Sequence, residues 1–139
     1  MLTLLSSRRS RIPSSGSALK RPGHRSTRLE ARKYLFDIRS AADLLAEFLA
    51  GKTFADYQRD AMLRAAVERQ FEIIGEAVFQ LARLEGELAA RITNYRRVIA
   101  FRNILIHGYS DVDDGLVWDV VETNPPLLRH EVERLLNDE

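Results

Sequence analysis

The 139-residue chain has no cysteine, a single tryptophan, and no apolar run near the roughly 20 residues needed to cross a bilayer. The missing cysteine excludes a disulfide framework and any thiolate metal site. It suits a reducing cytoplasm, the location expected for such a chain. Acid is absent from the first 29 residues, which carry Arg8, Arg9, Arg11, Lys20, Arg21, Arg25 and Arg28. Of the 21 Lys and Arg, 14 therefore remain in the rest of the chain to face all 20 Asp and Glu, a balance of −6 hidden beneath a formal net charge of +1. A general nucleic-acid binder needs a basic folded surface, because neutralising phosphates dominates its affinity. Any action on RNA must therefore come from a local site.

Residues 1–28 are rich in Ser and Arg, and Pro13, Gly16, Pro22 and Gly23 interrupt any period. Such a segment buries too little apolar surface to offset its ordering entropy, so it is expected to be a disordered basic extension. An over-extended start, a basic tail that contacts RNA or a partner, and an acid-poor targeting peptide share this composition. Met1–Leu5 is too short for the apolar core of a secretory signal and follows no positive residue.

The domain is expected to occupy residues 29–139. Leu35, Ile38, Ala42, Leu45 and Leu49 recur at steps of three and four, one face of a helix that Gly51 should stop. Thr53 and Asp56 read as a capping-box variant opening the next helix. Leu63, Val67, Phe71, Ile74, Val78 and Leu81 form a second stripe that Gly86 should end. Arg69, Glu72 and Glu76 share another face of that helix, and the plainer reading of them is a solvated face. A third helix is expected over Arg91–Ile106, with Tyr95, Val98, Ile99, Leu105 and Ile106 apolar and Gly108 as its stop. Leu116–Val121 and Leu127–Leu136 are helical in pattern, with Pro125-Pro126 expected to break or kink the run between them. No segment sustains two-residue alternation. The fold class is all-α, an antiparallel bundle of four to five helices with a face that would support a homodimer.

The third helix carries the chemistry. Arg102 lies three residues from Ile99 and Leu105 and four from Val98 and Ile106, so it projects from an apolar stripe. A guanidinium cannot shed its charge in a dry site, so it must be paired or line a wet cleft. Asn103 and His107, four apart, share a neighbouring face. Arg102 and His107 are five steps apart, about 140° on an ideal helix. They can converge only if the helix unwinds near Gly108 or a second chain completes the site. Taken singly, each residue has a plainer explanation: Arg102 an ion-pair anchor for Glu72 or Glu76, His107 a helix cap, Asn103 a surface amide, Tyr109 a core ring.

Taken together, the Arg102-x-x-x-x-His107-x-Tyr109 element resembles the signature of HepT-like toxins, part of the HEPN (higher eukaryote and prokaryote nucleotide-binding) superfamily. Lys33-Tyr34-Leu35 with Asp37-Ile38, the block Ala66–Ala77, Phe101–Tyr109 and Val117–Val121 resemble the family's landmarks in order, across nearly all of residues 30–137. Residues 1–28 lie outside the pattern, and Tyr95 stands where Trp is expected.

The resemblance implies a HEPN-like bundle, a homodimer, and metal-independent RNA cleavage at a site formed across that dimer. The side chains permit this chemistry. RNA supplies its own nucleophile, the 2′-hydroxyl. An imidazole such as His107 can act as general base or acid, Arg102 can hold phosphate oxygens, and Asn103 can orient either. The resemblance also implies a minimal nucleotidyltransferase antitoxin that transfers AMP from ATP to Tyr109, placing phosphate charge beside His107. A non-catalytic HEPN module that binds a nucleotidyltransferase or nucleotide is the competing function. No cofactor is expected on this chain, and no metal: His24, His107 and His130 are scattered and no carboxylate–His cluster has ligand spacing.

Overall fold

The structure is a computed structural model that describes residues 20–107 and 113–138, with side chains from residue 27 onward. The chain divides at Ala31, and the bundle described below is the unit from that residue onward. Among the described residues there are six helices and no strand: α1 (Lys20–Leu49), α2 (Phe54–Arg59), α3 (Ala61–Leu84), α4 (Gly86–Ala89), α5 (Tyr95–Ile106) and α6 (Asp114–Asp138). The all-α expectation holds.

The expected disorder of residues 1–28 lies outside the described residues as far as residue 19. From Lys20 the backbone is already helical, nine residues ahead of the expected start. Extending an established helix costs far less than nucleating one, and Pro22 sits in the first turn, where its missing N–H breaks no helical bond.

The expected stripes on α1 and α3 are buried, Leu35, Ile38, Ala42 and Leu45, then Leu63, Val67, Phe71, Ile74, Val78 and Leu81, except that Leu49 at the end of the first is only partly covered. Between them the chain turns at Gly51, whose φ of +74° suits a residue without Cβ. The Thr53 hydroxyl accepts from the Asp56 N–H at 3.1 Å, and the Asp56 carboxylate accepts from the Thr53 N–H at 3.0 Å, a full capping box. Asp60 then caps α3, accepting from the N–H groups of Met62 and Leu63, both at 3.1 Å.

Three boundaries differ from the sequence expectation. Gly86 opens the short α4 rather than following the last helical residue. The third helix starts at Tyr95, four residues late, because Asn94 adopts a left-handed conformation (φ 59°, ψ 33°) ahead of it. Pro125 and Pro126 lie inside a continuous α6. Val117, Val121, Pro125, Leu128, Val132 and Leu135 keep one buried stripe through that point, so packing on both sides of the prolines outweighs the lost backbone bonds.

Helices α1 and α6 run antiparallel, as their cross-links require. Arg32 donates to the Leu136 carbonyl at 3.0 Å, Arg39 pairs with Glu133 at 3.4 Å, and Arg129 pairs with Asp43. Core residues of α1, α3, α5 and α6 form one apolar cluster, with Tyr57 of α2 sealed beneath Trp118. Among the described residues, no helix is long and apolar enough to cross a membrane.

Candidate active site at the seam of α3 and α5

Helices α3 and α5 approach closely because α3 carries Gly75 at the crossing. A Cβ at Gly75 would lie 2.1 Å from the Arg102 Cβ and 2.7 Å from its Cγ, so only glycine admits the arginine stem there. A glycine inside a helix costs roughly 1 kcal/mol relative to alanine. Here it makes room for a specific side chain. Above the seam, the Phe71 and Phe101 rings meet edge to face at 5.2 Å and fix the rotation of α5.

The guanidinium of Arg102 is held from three directions. It donates to the Glu76 carboxylate at 2.6 Å and to the Asn103 side-chain oxygen at 2.8 Å, and it lies 5.5 Å from the centre of the Phe79 ring. Gln80 donates to the other Glu76 oxygen at 2.9 Å and fixes that carboxylate in turn. The Arg102 Nε is buried without a hydrogen-bond partner. Arg102 is only 21% exposed, whereas Glu76 is 47% exposed and reaches solvent. The seat therefore holds a largely sheltered cation against a carboxylate that is itself open to solvent.

The sequence left Glu72 and Glu76 open as partners, with a solvated face as the plainer reading. Glu72 pairs within its own helix, with the exposed Arg69 at 3.4 Å, so that part of the stripe is solvated. Glu76, although 47% exposed, crosses to Arg102, so the face is more than a solvated one. The expected apolar stripe on α5 also shifts. Val98, Phe101 and Leu105 are buried while Ile106 is 49% exposed, because the ring of Phe101 takes the inward position. Arg102 thus sits at the edge of the stripe rather than in its middle.

Asn103 is exposed and bonded to Arg102. His107 is exposed at the C-cap of α5 with φ −70° and ψ −5°, and its backbone N–H still donates to the Asn103 carbonyl at 3.1 Å. The helix does not unwind before His107. Arg102 and His107 therefore keep the angular separation of a regular helix within one protomer. Gly108 and Tyr109 lie outside the described residues. Gly75, Phe79 and Gln80 shape the seat of Arg102 and were not singled out from the sequence. The signal was a glycine in mid-stripe, followed at once by an acid and, four positions after the glycine, by an aromatic.

A groove of about 580 Å³ opens beside this seat, lined by Lys33, Tyr34, Asp37, Glu72, Glu76 and Ile106 among others. Further along α3, burial pushes the Glu68 carboxyl above its usual range, and Asp114 and Glu72 push it further, with Arg64 opposing.

A profile of the family described as Ribonuclease HepT-like matches residues 38–135. The chain is 35% identical over 104 residues to a protein of Thermococcus cleftensis whose name gives it as a probable ribonuclease HepT, covering 75% of this chain and 94% of that one. Proteins named as candidate RNases are similar as well. One from Caldanaerobacter subterraneus is 32% identical over 108 residues, covering 78% and 96% of the two chains. Another from Methanocaldococcus jannaschii is 31% identical over 106 residues, covering 75% and 94%. No solved structure gives a significant match.

Proposed function

The chain belongs to the HepT-like ribonuclease family, and on that premise we propose that it is the toxin of a toxin–antitoxin pair, an endoribonuclease that cuts RNA without a metal. The observation that carries this reading is the seat of Arg102: a guanidinium fixed by Glu76, Asn103 and Phe79 on the helix that ends in an exposed His107.

The reaction follows from these groups. A phosphate of RNA competes with Glu76 for Arg102, whose planar fork suits two phosphate oxygens. One imidazole takes the proton of the 2′-hydroxyl, and that oxygen attacks phosphorus. The 5′-oxygen leaves and takes a proton from a second imidazole. The products are a 2′,3′-cyclic phosphate and a 5′-hydroxyl. Arg102 stabilises the charge that builds on the phosphate oxygens.

One protomer carries a single such imidazole, and the regular end of α5 keeps it angled away from Arg102. A twofold homodimer brings both copies of each group to one cleft. The groove beside Glu76 supports that arrangement. Ile106 is an exposed apolar residue lining this groove, and Lys33–Asp37 and Arg69–Glu72 alternate in sign along it, as a self-complementary face requires. Tyr109, two residues past His107, is the site at which a nucleotidyltransferase antitoxin would attach AMP. The added phosphate would repel RNA there. Cytoplasmic location follows from such a partnership.

Incubating the full chain with RNA in EDTA tests the activity. Cleavage should persist, and His107→Ala should slow it by about 10²- to 10⁴-fold. Absence of cleavage, or cleavage unchanged in the variant, favours the non-catalytic binding module instead. Light scattering should give twice the monomer mass. Incubation with the partner and ATP should add one AMP, and the addition should disappear in Tyr109→Phe.

A further inference from the structure

Between α3, α5 and α6 lies a cavity of about 200 Å³ that shares no lining residue with the groove beside Arg102. Its floor is apolar and includes Phe71, Ile74 and Phe101. Its rim is polar, with Asn94 and Arg97 from the start of α5 and Asp119 and Asn124 from α6.

The rim groups are unspent. Among the described residues, the side chains of Asn94, Arg97, Asp119 and Asn124 make no hydrogen bond or ion pair with another protein group, and Asn94, Arg97 and Asp119 are open to solvent and to a ligand. Arg97 and Asp119 line the same small cavity with opposite charge and do not close on each other. Asn94 stands at the N-cap of α5, a position where an asparagine side chain normally accepts from the helix N–H groups. Its left-handed backbone accompanies a side chain that caps nothing and borders the cavity instead. Convergent polar groups from two helices over an apolar floor are the usual composition of a ligand site.

The ligand that fits has a flat apolar body, an edge rich in N–H donors, and a negative charge. An unpaired nucleobase with its phosphate has all three, and single-stranded RNA is read in this way, on base edges against aromatic and apolar side chains. The Asp119 carboxylate selects among the bases. It offers two acceptors side by side, which match the adjacent imino and amino N–H groups of guanine. Adenine and cytosine each place an acceptor beside their donor. Arg97 supplies donors for phosphate.

We propose that this cavity is a specificity pocket that takes one unpaired guanine of the RNA, with Asp119 accepting from the base and Arg97 donating to its phosphate. The consequence for cleavage rests on the ribonuclease reading; the binding step does not. A guanine held here is a nucleotide other than the one at the Arg102 seat, because the pocket contains neither Arg102 nor His107.

Two measurements on the full chain test this. GMP, AMP, CMP and UMP are titrated into wild type, Asp119→Asn and Arg97→Ala, with thermal melts as a folding control. GMP should bind best, and Asp119→Asn should weaken it by about tenfold, in line with the loss of one paired base contact. Arg97→Ala should weaken all four nucleotides. Cleavage of a randomised RNA pool, read by sequencing, should show guanine enriched at one fixed position relative to the cut, with the enrichment lost in Asp119→Asn. His107-dependent cleavage with an unchanged preference in Asp119→Asn, or equal binding of all four nucleotides, overturns the pocket. If RNA is not cut at all, the ribonuclease reading falls, and the GMP titration alone decides the pocket.

Discussion

The α1–α6 seam and the α3–α5 seam both set arginines against carboxylates, but the two sets of pairs are built differently. Along α1 and α6 the partners stand well apart in sequence and stay in solvent: Arg129 and Asp43 are 50% and 43% exposed, and Arg39 and Glu133 are 31% and 38% exposed. Arg39 also lies over an aromatic ring, that of Phe36 at 4.9 Å, but no glycine makes room for its stem. At α3–α5, one arginine lies over a glycine that gives way to its stem, against an aromatic ring, with a carboxylate that is itself held by Gln80. Fastening two helices needs only charges of opposite sign near each other. Holding a guanidinium at a fixed place also needs room for its stem, and among the described residues only the α3–α5 seam provides that with a glycine.

The largest effect should come from removing the space in that seat. Alanine normally stabilises a helix relative to glycine by roughly 1 kcal/mol. Gly75→Ala should reverse that sign, because its Cβ would overlap the Arg102 stem at 2.1 Å. Denaturant melts should show a loss of about 1–3 kcal/mol as α5 is pushed outward. RNA cleavage should fall about 10²-fold, the usual consequence of misplacing a reacting group by about 1 Å. A stabilised variant with full activity would mean that the seam is loose.

Arg102→Lys separates charge from shape. The ammonium keeps the positive charge but loses the planar fork and its fit over Phe79. Cleavage should drop by about 10- to 100-fold, since one transition-state donor set is lost. Stability should change by less than about 1 kcal/mol, as is usual for a single partly exposed pair. Equal activity would reduce Arg102 to the ion-pair anchor that its contact with Glu76 also allows.

This contrast also marks how far the sequence could be read. The stripes from Leu35 to Leu45 and from Leu63 to Leu81 were legible because periodicity reports burial directly, and each of those residues is buried. Arg102 was legible as a charge needing a partner. The choice of Glu76 over Glu72 was not, because the two lie on one face and only the rotation of α5 distinguishes them. That rotation is set by Phe101 packing on Phe71, a contact between helices that no spacing within one helix reveals. The late start of α5 escaped for a different reason: Asn94 is a residue type that tolerates a left-handed backbone without requiring it. The continuity of α6 through Pro125-Pro126 likewise depends on what packs against it, whereas local propensity argues for a break.

A double-mutant cycle on Arg39 and Glu133 probes the plain seam. With both partners about a third exposed and 3.4 Å apart, the coupling should be about 0.2–1 kcal/mol and should shrink in high salt. Arg39→Ala and Glu133→Ala should leave RNA cleavage unchanged. A coupling well above 1 kcal/mol would erase the distinction between the two seams.

The smallest effect concerns an acid on α3 that lacks a matched partner. Glu76 has Arg102; Glu68, two turns earlier, lies under the influence of Asp114 and Glu72, with Arg64 alone opposing. Burial, the largest cause, and these like charges raise its folded-state pKa above the unfolded value. The folded state then binds the proton more tightly than the unfolded chain does. Stability from this group is present below the ordinary carboxylate range and is lost as pH rises through the raised value. Glu68→Gln, which removes the charge and keeps the shape, should therefore be slightly more stable than wild type at neutral pH. The advantage should vanish as pH falls and Glu68 takes up its proton. Melting both proteins from neutral to acidic pH reads this directly. Parallel curves would mean that Glu68 is as well solvated as the pairs of the outer seam, and that mismatch on α3 does not accompany the match at Glu76.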